Sequence, residues 1–145
     1  MDFAITVSRN TPLTSEEDME EACAIFLTQI GYLQKGGSSD QRKSVPFRLF
    51  VDYFLKRKDK TWLVEELAHE LKTSKPTVYR HINKLKAMDL LEEAYLEVKG
   101  GTTKKGYKLR YGSLSDAWHF VEEHVSVAMA NYRKSVDHIE KLSEK

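Results

Sequence analysis

Apolar residues recur at helical spacing in five stretches and at alternating spacing in two. Met19, Ala22, Cys23, Phe26, Leu27 and Ile30 form a stripe, which predicts a helix from a capping box at Thr14 and Glu17 to about Tyr32. Phe47, Leu49, Phe50, Val51, Phe54 and Leu55 are apolar on most of a helix surface. That helix is expected to be buried, with Pro46 in its first turn. A third helix, WLVEELAHEL, offers Leu63, Leu67, Ala68 and Leu71 to the core. After a tight turn at Lys72-Thr73, Ser74 can cap a fourth helix whose opening turn holds Pro76.

Past Leu90 the period changes from 3.6 to 2. Ala94, Leu96 and Val98 alternate with Glu93, Tyr95 and Glu97, and Tyr107, Leu109 and Tyr111 alternate with Lys108 and Arg110. Two strands are predicted, joined by a mobile basic loop, GGTTKKG. From Ser113 onward there is neither Gly nor Pro. A helix of about thirty residues, around 45 Å long, is expected there. Its seam runs through Leu114, Trp118, Val121, Val125, Ala128 or Met129, Tyr132, Val136, Ile139 and Leu142, close to a heptad repeat. DFAITV reads as a short strand or a packed arm, Thr61-Trp62 as a single strand rung, and KGGSSDQRK as a flexible loop. The fold class is mainly α with a small β-hairpin (α+β).

Composition adds less than the placement of charge. The 145 residues are 41% hydrophobic and 31% charged, with a net charge of +1. That balance fits a globular chain. No apolar run approaches the roughly 20 residues that cross a bilayer, and MDFAITVSRN lacks the layout of a signal peptide. A cytoplasmic protein is expected. Cys23 is the only cysteine, which excludes an intrachain disulfide and a Cys-rich zinc site. Residues 14–21 are acidic without a cation. Lys72, Lys75, Arg80, Lys84 and Lys86 form one positive block without an anion, and Lys99, Lys104, Lys105, Lys108 and Arg110 form another.

On a helical wheel of residues 71–88, Val78, Ile82 and Leu85 make one apolar stripe. Pro76, Arg80, Asn83 and Lys84 lie opposite, flanked by Thr77 and Tyr79. The stripe would fix this helix to WLVEELAHEL and the hairpin, presenting the opposite arc outward. The segment LVEELAHELKTSKPTVYRHINKLKAMDLLEE with the GGTTKKG hairpin resembles the winged helix-turn-helix of small transcription regulators, broadly the ArsR- and MarR-like group. One departure is Asp89, where many such regulators carry Gly; Asp tolerates a left-handed backbone better than most residues.

The resemblance implies a winged helix-turn-helix regulator that binds specific sequences in double-stranded DNA. The recognition helix would enter the major groove, whose width of about 12 Å admits one helix. Lys75, Pro76, Thr77, Tyr79 and Arg80 would face base edges, with Ser74 and Lys84 on phosphates. Thr102, Thr103, Lys104 and Lys105 at the wing tip, with Lys108 beside them, would reach the neighbouring backbone or minor groove. The chain divides into an arm, helix and loop (1–45), the DNA-binding unit (46–112) and a C-terminal helix (113–145). The alternative is a winged helix that binds protein inside a larger assembly.

A stripe as long as the last helix outruns a domain of about fifty residues, roughly 25 Å across. A homodimer through helices 14–32 and 113–142 is expected, spacing two recognition helices about 34 Å apart or a multiple of it. No cofactor is expected. The cysteine pair by which some ArsR-like proteins sense metals is absent, and His119 with Glu123 offers too few ligands for a metal. Tyr32, Phe47, Phe50, Tyr53, Phe54 and Trp118 could line an effector pocket or form ordinary core. No phosphate-cradling glycine loop, nucleophile elbow or paired-acid arrangement appears, so no enzyme is expected.

Overall fold

The computed structural model describes residues 2–35 and 41–145. Five helices and a two-stranded antiparallel sheet form a mainly helical α+β winged helix-turn-helix. Residues 2–13 run as an extended arm rather than a strand. The arm is held by Ala4 N–H to Ala87 O at 2.8 Å and Thr6 N–H to Ile30 O at 3.0 Å. It packs so closely on Gly31 that a Cβ there would lie 2.6 Å from Thr6 Oγ1.

Helix α1 spans Met19–Gln29, four residues later than the capping box at Thr14 predicts. The reason is a competing cap. Asp18 accepts from Glu20 N–H at 3.1 Å, while Thr14 and Ser15 turn, with Glu16 N–H bonded to Leu13 O. The helix ends before Tyr32 because Gly31 adopts φ +92°. Cys23 is only partly buried, its thiol facing Met19 Sδ at 3.4 Å. Most of the Gly/Ser loop expected next lies outside the described residues, and Gln41–Lys43 form a 3₁₀ turn. Helix α2 opens at Val45–Arg48 with Ser44 as N-cap and Pro46 in its first turn. Over Leu49–Leu55 it widens to π geometry, and Leu49, Phe50, Val51, Tyr53 and Phe54 are all buried.

Trp62 makes the expected single rung, exchanging hydrogen bonds of 2.7 and 2.9 Å with Tyr107. Its indole N–H donates to Tyr53 O at 3.2 Å. Gly106 is required beside it, because a Cβ would lie 2.7 Å from Thr61 Cγ2 and 2.9 Å from Trp62 O. Helix α3 is Val64–Leu71, with Glu66 accepting from Leu63 N–H. Val64 rather than Leu63 fills the core, because Leu63 occupies the extended capping position. Lys72 takes a left-handed backbone, φ 54°, and turns the chain into α4, Lys75–Ala87. Val78, Ile82 and Leu85 are fully buried, each contributing about 1.5–3 kcal/mol of burial.

Asp89 (φ 64°) leads into β1, Leu91–Glu97, which pairs with β2, Thr103–Leu109. The turn is only residues 98–102, closed by Val98 N–H to Thr102 O. Lys104 and Lys105 therefore lie within β2, opposite Leu96 and Tyr95, and not in a mobile tip. Helix α5 spans Leu114–Ser143 with Ser113 as N-cap. Its first turns are sealed on the core through Ala117 and Val121, with Leu114, Trp118 and Val125 partly buried. Every residue from Met129 onward is exposed. Among the described residues no helix is long and apolar enough to cross a membrane.

Candidate nucleic-acid interface

The α3–turn–α4 geometry turns one arc of α4 outward. Lys75, Pro76, Tyr79, Arg80, Asn83 and Lys84 are exposed and Thr77 is half-buried. Pro76 sits in the opening turn, where no N–H is needed. Unsatisfied N–H groups there give that end of the helix a partial positive charge. Lys75 and Arg80 form no ion pair with a described residue, so their donors are free.

Two other candidates on this helix are committed locally. The Ser74 hydroxyl accepts from Thr77 N–H at 3.3 Å and donates to Thr77 Oγ1 at 2.9 Å, so the cap consumes its proton. Lys84 Nζ donates to Tyr32 O at 3.0 Å, leaving two of its three donors. Lys86 is not on the outer arc. It pairs with Glu93 at 2.5 Å and lies 5.5 Å from the Tyr107 ring centre.

The second positive block is not anion-free once folded. Lys104 pairs with Glu65 at 2.7 Å, Lys105 with Glu93 at 3.5 Å and Lys108 with Glu92 at 3.9 Å. The antiparallel register puts Glu92 opposite Lys108, and α3 brings Glu65 to the hairpin. Three of the wing lysines are thus charge-paired, whereas Lys75, Arg80 and Lys84 on α4 form no ion pair with a described residue. Neighbours on a strand point to opposite faces. Lys104 accordingly turns toward α3 while Lys105 turns toward Glu93 and Lys86. The two lysines do not form one contact surface. Thr102 and Thr103 are exposed near the turn.

These pairs set protonation. The hydrogen bond from Lys104 holds the Glu65 carboxyl below the usual carboxylate range. The bond from Lys86 does the same for Glu93, and the Glu93 charge raises Lys105. His81 is pushed down by burial first, then by the charges of Arg80 and Lys84.

Sequence reasoning missed one cluster beneath the interface. The Asp89 side chain, in a residue 9% exposed, meets His124 Nδ1 of α5 at 2.5 Å. His124 stacks on Phe3 of the arm at 4.2 Å. Arg110 donates to Asp89 O at 2.8 Å and to Leu91 O at 3.4 Å, with its guanidinium 4.4 Å from the Phe120 ring centre. The arm, α4, the hairpin base and α5 therefore meet at one point. The unusual residue at position 89 was the only available signal. Among the described residues no three His, Cys, Asp or Glu side chains converge for a metal. Phe47, Phe50, Tyr53 and Phe54 are buried in the core, and Trp118 packs edge-on to Phe26.

A family model and a relative found by sequence point the same way. Residues 53–93 match the model of the bacterial regulatory proteins of the arsR family. The chain is similar to an uncharacterized HTH-type transcriptional regulator of Methanocaldococcus jannaschii, at 39% identity over 67 residues. That match covers 46% of this chain and 67% of the relative. A solved structure described as a possible transcriptional regulator from Methanosarcina mazei Go1 is similar at 19% identity. It covers 66% of this chain and 77% of its own, with a TM-score of 0.45.

Proposed function

The chain belongs to the ArsR-type winged helix-turn-helix DNA-binding transcription regulators, and from that premise we propose how it reads its target. Residues 46–112 act as the DNA-binding unit, with α4 in the major groove of a duplex. Lys75, Pro76, Thr77, Tyr79 and Arg80 face base edges, and Arg80 forks onto a guanine. Lys84 holds a backbone phosphate through its remaining donors. Ser74 serves mainly as the cap that fixes the angle of the helix. The wing contributes Thr102, Thr103 and Lys104 to the flanking backbone, after Lys104 exchanges Glu65 for phosphate. Lys105 and Lys108 contribute only long-range field. The observation that carries this reading is the outer arc of α4, where Lys75 and Arg80 form no ion pair with a described carboxylate.

We further propose a homodimer through α5 and α1. The motivation is the bare outer half of α5, where Tyr132 is 66% and Ile139 62% exposed on one continuous seam. Replacing Val136 and Ile139 together by Glu should give a monomer in sedimentation at micromolar concentration. A wild-type monomer under the same conditions would end the dimer proposal.

Binding to random duplex pools, followed over a salt series, tests the DNA reading. Affinity should fall linearly in log–log coordinates, and Arg80→Ala should relax base preference by about 1–3 kcal/mol at one position. The charge-paired wing is also what a protein-binding winged helix would show. That second reading requires duplex binding to be absent at every salt concentration.

A further inference from the structure

A concavity of about 600 Å³ opens between the outer face of α4 and the chain leading into α2. Its α4 wall is Thr77, Arg80, His81 and Lys84, spaced by threes and fours so that their side chains converge. The facing wall includes Tyr32 and Ser44. None of the described residues lining it carries a carboxylate. Elsewhere on this molecule lysines meet glutamates, as Lys86, Lys104 and Lys105 do. Here two cations share one cleft with no carboxylate among its described lining residues.

The donors are also prepared. Tyr32 O anchors the Lys84 ammonium at the rim and leaves two N–H groups free. The Arg80 guanidinium has no described partner. Thr77 Oγ1 accepts from Ser74, so its own hydroxyl proton is available. A half-buried imidazole beside two cations explains why His81 resists protonation.

We propose that this cleft is an oxyanion site, taking a phosphate-like group between the Arg80 guanidinium, the Lys84 ammonium and the Thr77 hydroxyl. Guanidinium and ammonium donors suit a tetrahedral oxyanion through charge-assisted hydrogen bonds. The phosphate can come from the backbone of a bound duplex, in which case Arg80 and Thr77 leave base reading to Lys75 and Tyr79, or from a free phosphorylated molecule. A free anion would draw Arg80 from the groove and so oppose DNA binding. The site itself does not depend on the DNA reading, because it follows from the uncompensated charge.

The full chain is titrated with inorganic phosphate against chloride at constant ionic strength. The readout is the His81 imidazole resonance, identified by its loss in His81→Gln. Phosphate should move it saturably and raise its pKa, because the anion offsets Arg80 and Lys84. The midpoint should weaken about tenfold in Arg80→Gln and in Lys84→Gln, one charge-assisted hydrogen bond being lost in each. A shift that never saturates, that chloride reproduces, or that both variants leave unchanged would overturn the site. A short duplex then distinguishes the sources. If DNA moves the His81 resonance in the same way and phosphate competes with it, the backbone is the ligand. If phosphate saturates while DNA leaves His81 unmoved, the ligand is a free anion. Duplex binding without phosphate saturation removes this site and leaves the DNA reading intact; phosphate saturation without duplex binding does the reverse.

Discussion

Replacing Glu65 by Gln should make the protein bind duplex DNA more tightly. Glu65 holds Lys104 at 2.7 Å, with the two side chains 41% and 54% exposed. A pair this exposed is worth about 0.2–1 kcal/mol. Lys104 must leave it to reach a phosphate, so the wild type gives up that amount on binding. Removing the carboxylate returns it, a gain of about 1.4- to 5-fold in affinity. Lys104 meets one phosphate in either protein, so the salt slope should stay the same while the affinity rises. Fluorescence anisotropy of a labelled duplex from 50 to 200 mM salt measures both quantities. A loss of one negative charge also helps at a distance, since screening over about 10 Å is incomplete at 0.1 M salt. The same substitution in a Lys104→Ala background isolates that contribution. Unchanged or weaker binding, or an equal gain without Lys104, would refute the idea that Glu65 restrains the wing.

Three further predictions concern stability. Gly106→Ala should lower it by about 1–3 kcal/mol in urea unfolding through overpacking; adding Thr61→Ala should recover only part, because the Trp62 carbonyl stays 2.9 Å from the new Cβ. A double-mutant cycle of Asp89→Asn and His124→Gln should show a coupling of about 0.5–3 kcal/mol, and strict additivity would mean the contact is idle. Glu65 and Glu93 have depressed pKa values in the folded state. Their pairs therefore stabilise fully above the ordinary carboxylate value of 4.5 and are lost as pH falls through the lower folded values. Thermal melts between pH 7 and 3 should show that decline, and Lys104→Met with Lys86→Met should flatten it. An equally steep decline in that variant would place its cause elsewhere.

The helix-turn-helix was legible because local signals agree there. Val78, Ile82 and Leu85 give the stripe, Ser74 the cap, and Asp89 the left-handed exit. The rung at Trp62 and the start of the last helix near Ser113 were readable for the same reason. The start of α1 was not, since Thr14 and Asp18 both offer a cap and only the turn at Leu13–Glu16 decides between them. The π segment could not be read, because a run apolar on every side carries no period. The charge of the interface was half legible. Lys75 and Arg80 stay bare, as the local composition suggests. The wing lysines meet Glu65, Glu92 and Glu93, whose proximity comes from strand register and helix packing. The link from Lys84 to Tyr32 spans 52 positions and leaves no local trace.

The tail of α5 has a thermodynamic consequence. Residues 129–143 form about four turns whose side chains touch no core. A helical segment of that length in water is marginal on its own. In a solitary protomer these amides should fray and exchange with solvent far faster than those near Val121. The negative mean-residue ellipticity at 222 nm should then deepen as the protein is concentrated, since winding of the tail and pairing of two copies would be one event.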